Sequence, residues 1–174
     1  MINSGRVIYY DAIGMAVNIT HYENAGDFIT RNLSGAPVTG NTYVRRHLFF
    51  AGIFDISFPE LPQEIDHLVV GDVWPPTKER DTNKFVVTAL ENDSKYLCII
   101  PRNGGSIKSE QLNVTAGSSL DVVQGCILVP MGVCQIGGIE RAAKDVVVLL
   151  NNGATIASNQ DVKVWRFWNN KNNA

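Results

Sequence analysis

The feature that most constrains this chain is that no stretch of a dozen residues places apolar side chains at helical spacing. In place of helices stand short runs: RVIYYDA (Arg6 to Ala12), MAVNIT (Met15 to Thr20), TYVRRHLFF (Thr42 to Phe50), IFDISF (Ile53 to Phe58), HLVV (His67 to Val70), KFVVTAL (Lys84 to Leu90) and KYLCII (Lys95 to Ile100). QLNVT, SLDVV, CILV, VCQI, DVVVLL, ATIAS and DVKVWRFW follow them. These runs are rich in β-branched and aromatic residues and are bounded by Gly, Pro, Asn or Asp, which are the signals of strands and turns. Close, regular spacing of such runs predicts an all-β fold, an antiparallel β-sandwich or jelly-roll-like barrel with little helix. A helical turn fits only GDFITRNL (Gly26 to Leu33) and IERAAKD (Ile139 to Asp145), and the second reads equally well as a hairpin loop. Without crossover helices a βαβ plan is excluded, and the nucleotide folds built on it go with it.

No composition shift marks a linker, so residues 1–168 read as one β domain with a polar tail at 169–174. The 174 residues suffice to bury a core without staples. Charged residues are 18% of the chain, below the ~25% of ordinary soluble domains, which leaves a surface covered by Asn, Ser, Thr and Gly or by another protein. The net charge is −2, and the densest cationic point is Arg45, Arg46 and His47. Phosphate backbones need several cations on one face, so nucleic acid is not an expected partner and these three read as solvated. Cys98, Cys126 and Cys134 form no C-x-x-C pair, and two of them sit in apolar runs, where cysteine behaves as a small hydrophobe. The odd count, with no secretory signal in MINSGRVIYYDA and no apolar run of the ~20 residues that span a bilayer, leads to the expectation of synthesis in a reducing cytoplasm without a signal peptide.

No catalytic, cofactor or metal site is expected. Cys98 with His67 is a formal nucleophile and base, but no local motif supports the pair. Ser118 and Ser119 lack the G-x-S-x-G setting. Asp55, Glu60, Glu64 and Asp66 lie near prolines and read as solvated or turn-forming acids rather than a glycosidase pair. No P-loop and no calcium loop is present.

Three regions are singled out for contact with partners. The segment Val73 to Asn83, VWPPTKERDTN, reads as an exposed loop carrying Trp74 and Arg80. In the last strand, Val162 and Val164 share a face with Trp168, while Trp165 and Phe167 lie on the other, so aromatics occupy both faces. CILVP and DVVVLL are apolar on both faces, which implies that each face is covered. A neighbouring subunit is one cover, and long loops over central strands are the other.

The Gly-punctuated stretch TAGSSLDVVQGCILVPMGVCQIGG, within Val114 to Phe167, resembles the jelly-roll half of cupin-like proteins. That resemblance implies a barrel whose metal is held by two His one residue apart, a nearby Glu and a later His. This chain has only His21, His47 and His67, singly placed, so the resemblance extends to the scaffold and not to a metal. In overall character, with low charge, many short strands and no catalytic motif, the chain also resembles small β-sandwich proteins of bacteriophage particles, of the capsid-decoration or tail-accessory type. That likeness implies a non-enzymatic homo-oligomer in a virion that docks on a larger protein assembly through Trp74, Arg80, Trp165, Phe167 and Trp168. The alternative is a metal-free cupin-like or lectin-like module that binds a carbohydrate or small molecule in the mouth of its barrel.

Overall fold

The computed structural model describes residues 1–32, 44–75 and 84–171. The stretch read as one β domain holds two compact units, Met1–Tyr9 with Ala16–Pro101, and Tyr10–Met15 with Arg102 onward.

The first unit contains β1 (Ile2–Ser4), β2 (Ile8–Tyr10), β3 (Met15–Tyr22), β4 (Phe28–Asn32), β5 (Arg46–Ala51), β6 (Phe54–Ser57), β7 (Ile65–Leu68), β8 (Val73–Trp74), β9 (Lys84–Ala89) and β10 (Ser94–Pro101). One sheet runs β1-β3-β10-β5-β8, with β2 also on β3, and the other runs β4-β9-β6-β7. The second unit contains β11 (Ile107–Val114), β12 (Ser119–Val122), β13 (Cys126–Pro130), β14 (Cys134–Ile136), β15 (Ile139–Arg141), β16 (Val147–Leu149), β17 (Ala154–Ala157) and β18 (Val162–Asn169). Its sheets run β11-β18-β13-β16 and β12-β17-β14-β15. Numbering the strands of each unit from one, starting at β3 and at β11, gives the order 1-8-3-6 facing 2-7-4-5 both times. The chain therefore contains the same eight-strand jelly roll twice, all antiparallel where registers are defined.

Period-2 alternation dictates which side chains fill each barrel. In the first, the burial of β9 and β6 alternates, and inward residues are largely aromatic: Tyr22, Phe49, Phe54, Phe58, Trp74, Phe85 and Tyr96, joined by Ile56, Leu68 and Val87. Phe54 lies at the centre of that cluster, with ring centroids 5.0 Å from Phe49, 5.2 Å from Tyr22 and 5.7 Å from Tyr96. Such tilted and edge-on contacts add to the burial of area. The second core is aliphatic, built from Val114, Val122, Leu128, Ile136, Val147, Leu149, Ile156, Val162 and Val164 with the Cys126 and Cys134 thiols.

Two glycines show how closely the backbone packs. Gly52, at φ +78°, turns β5 into β6, and a Cβ there would lie 2.0 Å from Ser94 Oγ. Gly105, at φ +84°, sits against Asn169, whose Oδ1 would be 2.1 Å from an added Cβ. The buried Asn169 amide donates to the Gly14 and Gly104 carbonyls (2.8 and 3.0 Å) and its Oδ1 accepts the Lys171 N–H (3.0 Å). Asn169 thus secures both the Gly14 segment and the turn before β11 within the second unit.

Several local expectations change. GDFITRNL contains β4, not a helical turn, because Ile29 and Arg31 alternate inward from a strand paired along β9. IERAAKD opens as β15, paired with β14. The helical element among the described residues is the 3-10 turn Asp11–Ile13, closed by Gly14 at φ +68°, and it ends the RVIYYDA run after β2. Arg46 and His47, read as solvated, are buried at 7% and 4% exposure because β5 is the middle of a covered sheet. The doubly apolar CILVP is buried on both faces within this one chain, with Cys126, Ile127, Leu128 and Val129 all at 0% exposure, so covering it requires no neighbouring subunit. No helix among the described residues is long and apolar enough to cross a membrane.

Candidate functional site at the mouth of the first barrel

The first barrel narrows its chemistry to one end, where β4 ends, β5 and β9 begin and β8 ends. On one sheet, His47 of β5 is directly opposite Cys98 of β10 on one side and Trp74 of β8 on the other. Cross-strand partners share a face with Cβ atoms about 5 Å apart, so the three side chains form one row. On the facing sheet Phe85 of β9 is opposite Arg31 of β4, and the Phe85 ring meets Trp74 at 4.7 Å and His47 at 6.3 Å. Tyr96 closes the row below, 5.0 Å from the His47 ring and edge-on to it. Arg45 precedes β5 in the same alternating phase as His47, and its guanidinium reaches the Cys98 thiol.

The electrostatics follow from burial. Desolvation pushes the His47 pKa down to about 3; a hydrogen bond to the Trp74 carbonyl opposes this, and the charges of Arg31, Arg45 and Arg46 reinforce it. His47 is therefore a neutral imidazole whose Nδ1–H donates to the Trp74 carbonyl at 3.3 Å. Burial pushes the Cys98 thiol up, against the opposing pull of Arg45 and Arg31, so it stays protonated. Neither partner offers a negative charge. Arg31, half-buried, and Arg45, exposed, form no ion pair or hydrogen bond with a carboxylate among the described residues. Two guanidinium groups with no carboxylate partner among the described residues thus stand over an aromatic, neutral floor, an arrangement that attracts anions.

The same end of the second barrel is built differently. There β13 supplies Cys126 and β18 supplies Arg166 and Trp168. Arg166 stacks 4.4 Å over the Trp168 ring and pairs with Glu110 at 3.4 Å, so its charge is spent internally. Burial pushes the Cys126 thiol up as well. On the second unit an open polar groove of about 430 Å³ runs past Ser118, Ser119, Gln135, Glu140, Asn159 and Gln160.

Four of the five residues singled out in the sequence lie among the described residues. Trp74 (1% exposed) and Phe167 (0%) are buried and present no surface to a partner. Trp74 donates its indole N–H to Asp66 of β7 at 2.8 Å, so an acid read as loop-borne lies on a strand and orients a core ring. Trp165 and Trp168 are half-buried; Trp165 stacks on Phe167 at 6.2 Å, and Trp168 packs on the Val162 and Val164 face as its phase requires. Arg80, with most of its loop, lies outside the described residues. The histidine beside Cys98 is His47, not His67, which stands exposed on β7 hydrogen-bonded to Asp55 at 2.5 Å. Arg31, Arg45 and His47 escaped notice as a site because their meeting depends on β4, β5 and β10 being brought together. The available signal was TYVRRHLFF, in which Arg45, His47 and Phe49 share one parity.

No protein-family model and no curated protein matches the chain. Solved structures do. A cupin 2 conserved barrel domain protein from Leptotrichia buccalis superposes with a TM-score of 0.62 at 15% identity, over 97% of this chain and 89% of that one. A variant of the oxalate decarboxylase of Bacillus subtilis gives 0.54 at 9% identity, over 90% and 69%. A conserved protein of unknown function from Pseudomonas aeruginosa gives 0.51 at 11%, over 96% and 87%.

These neighbours overturn the expectation of a docking module for a phage capsid or tail, since the barrels that resemble the chain are cupin barrels. The metal that cupin resemblance implies does not fit these residues. His47 is the buried histidine of its barrel, His21 pairs with Asp93 at the surface, and no group of three His, Cys, Asp or Glu side chains converges among the described residues. By fold, then, the chain is an all-β, cupin-like jelly-roll protein.

Proposed function

We propose that the chain is a metal-independent, cupin-like binding module that takes a small anionic molecule at the mouth of its first barrel. The observation that carries this reading is the pair Arg31 and Arg45, uncompensated by any carboxylate among the described residues, above the neutral His47, Trp74 and Phe85. A carboxylate or phosphate there gains charge-assisted hydrogen bonds from planar guanidinium forks above the buried, neutral aromatic floor. His47, with Nδ1–H committed to Trp74, keeps Nε2 as an acceptor for a ligand hydroxyl. The thiol and imidazole at the site are held in their neutral forms by burial, so a bound anion meets no negative charge from them.

A carbohydrate is the second reading, favoured by the polar groove past Gln135, Glu140, Asn159 and Gln160, which is rich in the hydrogen-bonding groups that sugars use. A thermal-shift panel of phosphate, small di- and tricarboxylates and neutral sugars separates the two. Anions at about one hundred times Kd stabilise by about 2.7 kcal/mol, and Arg31→Met with Arg45→Met removes the shift. If neutral sugars raise Tm and anions do not, or if the double variant responds like wild type, the first-barrel assignment is wrong.

A further inference from the structure

We infer that the second unit carries a separate binding site for a short-chain monocarboxylate, in the cavity between the β14–β15 hairpin and the edge strand β16. The cavity measures about 320 Å³, at the small end of ligand pockets. Pairing of Cys134 with Arg141 and of Ile136 with Ile139 puts Arg141 and Ile139 on the inward face of the hairpin. Val147 and Leu149 of β16 supply the apolar wall, and Gly153 lies at the rim. Arg141 is the charged side chain of this lining.

The chemistry of the ligand follows from that lining. Arg141 Nε is buried with no hydrogen-bond partner, and its guanidinium makes no ion pair among the described residues. A buried N–H without a partner costs about 1–3 kcal/mol, and a carboxylate restores it by accepting from Nε and a terminal nitrogen together. The nearby acid, Asp145, forms no ion pair with Arg141. Cys134, opposite Arg141, is kept protonated by burial, and Asp145 accepts the Ala142 N–H at 2.9 Å in the turn that follows β15. Most of the remaining side chains are branched aliphatic, with Asn151 and Asn152 as the uncharged polar groups, which suits a short alkyl chain joined to a carboxylate. The site is independent of the first-barrel mouth and differs from it in class, having one cation and an aliphatic wall in place of two cations and aromatic rings.

The test is titration of the full chain with sodium hexanoate, followed by methyl NMR and calorimetry, with hexan-1-ol as the neutral control. Hexanoate is expected to shift the Ile136, Ile139, Val147 and Leu149 methyls saturably, and hexan-1-ol to bind at least about tenfold more weakly. Arg141→Met weakens hexanoate at least about tenfold, while Arg31→Met with Arg45→Met leaves its affinity unchanged. Ile139→Trp, at a position 57% exposed and therefore tolerant of size, fills the cavity and abolishes binding even if Arg141→Met fails to fold. Absence of saturable shifts in these methyls, full hexanoate affinity in Ile139→Trp, or loss of binding in the Arg31 and Arg45 variant but not in Arg141→Met each overturns the assignment. The last result also leaves the first-barrel reading standing, so the two proposals fail separately.

Discussion

The two barrels share a strand order and almost nothing of their interiors. The first is packed with aromatic rings around Phe54 and Tyr96, and the second with Val, Ile and Leu around Leu128 and Ile156. At the mouth of the first, Arg31 and Arg45 have no acid partner among the described residues; at the mouth of the second, Arg166 is tied to Glu110 and stacked on Trp168. The jelly-roll plan therefore specifies which positions face inward and leaves their chemistry open. A site arises where charges are left uncompensated.

The largest test of this contrast concerns the cores. Phe54→Ala removes a ring held by three others and is expected to cost about 3–5 kcal/mol, against about 2–5 kcal/mol for Leu128→Ala, whose neighbours are smaller and collapse more readily. Urea unfolding read by tryptophan fluorescence reports Trp74 in the first unit and Trp165 and Trp168 in the second. A larger loss for Leu128→Ala breaks the contrast between an aromatic and an aliphatic core.

Acid is the next discriminator, because the second barrel holds no histidine. With its folded pKa pushed down to about 3 from 6.5, His47 binds a proton in the unfolded chain before it does so in the folded one. Its contribution is fully present above about pH 6.5 and is lost as pH falls toward 3, at about 1.4 kcal/mol per pH unit. His47→Phe should flatten that part of the stability–pH curve, and an unchanged slope would show that His47 is not buried neutral.

Asn169→Ala belongs to the second unit alone. It removes the amide donor from the Gly104 carbonyl and one of the two donors, the other being the Arg102 N–H, from the Gly14 carbonyl, and is expected to cost about 1–3 kcal/mol, measured by chemical unfolding. A neutral result would mean that water replaces the amide. The smallest effect is expected for Glu110→Gln, which frees Arg166 from its half-exposed partner. Stability should change by no more than about 1 kcal/mol, while the second mouth acquires an unpaired cation like those of the first. Anion-dependent stabilisation that appears in this variant would sharpen the view that pairing, rather than fold, separates the two mouths.

Much of this was legible residue by residue. The runs KFVVTAL and VKVWRFW are the strands β9 and β18, and Val162, Val164 and Trp168 share a face as the alternation of the last strand requires. Burial of Cys98 and Cys126 followed from their apolar runs. The duplication was not legible, since the first barrel is filled with Phe, Tyr and Trp and the second with Val, Ile and Leu, which preserves polarity and loses residue identity. Nor was the candidate site, because Arg31, Arg45, His47 and Cys98 come from three strands that adjoin only through the 1-8-3-6 and 2-7-4-5 pairing. Trp74 and Phe167 were mistaken for surface anchors for a related reason. An aromatic residue reads alike in a core and at an interface until its neighbours are known.

By itself the sequence determined an all-β chain, because strand character depends on local alternation and on residue composition. Tertiary structure decided that two jelly rolls stand in one chain, that Arg46 and His47 are buried, and that Arg31 and Arg45 both act on His47 and Cys98 while Arg166 is paired with Glu110. Those facts rest on pairing between strands far apart in the chain, and the burial and compensation of a charge are properties of the neighbours that such pairing supplies.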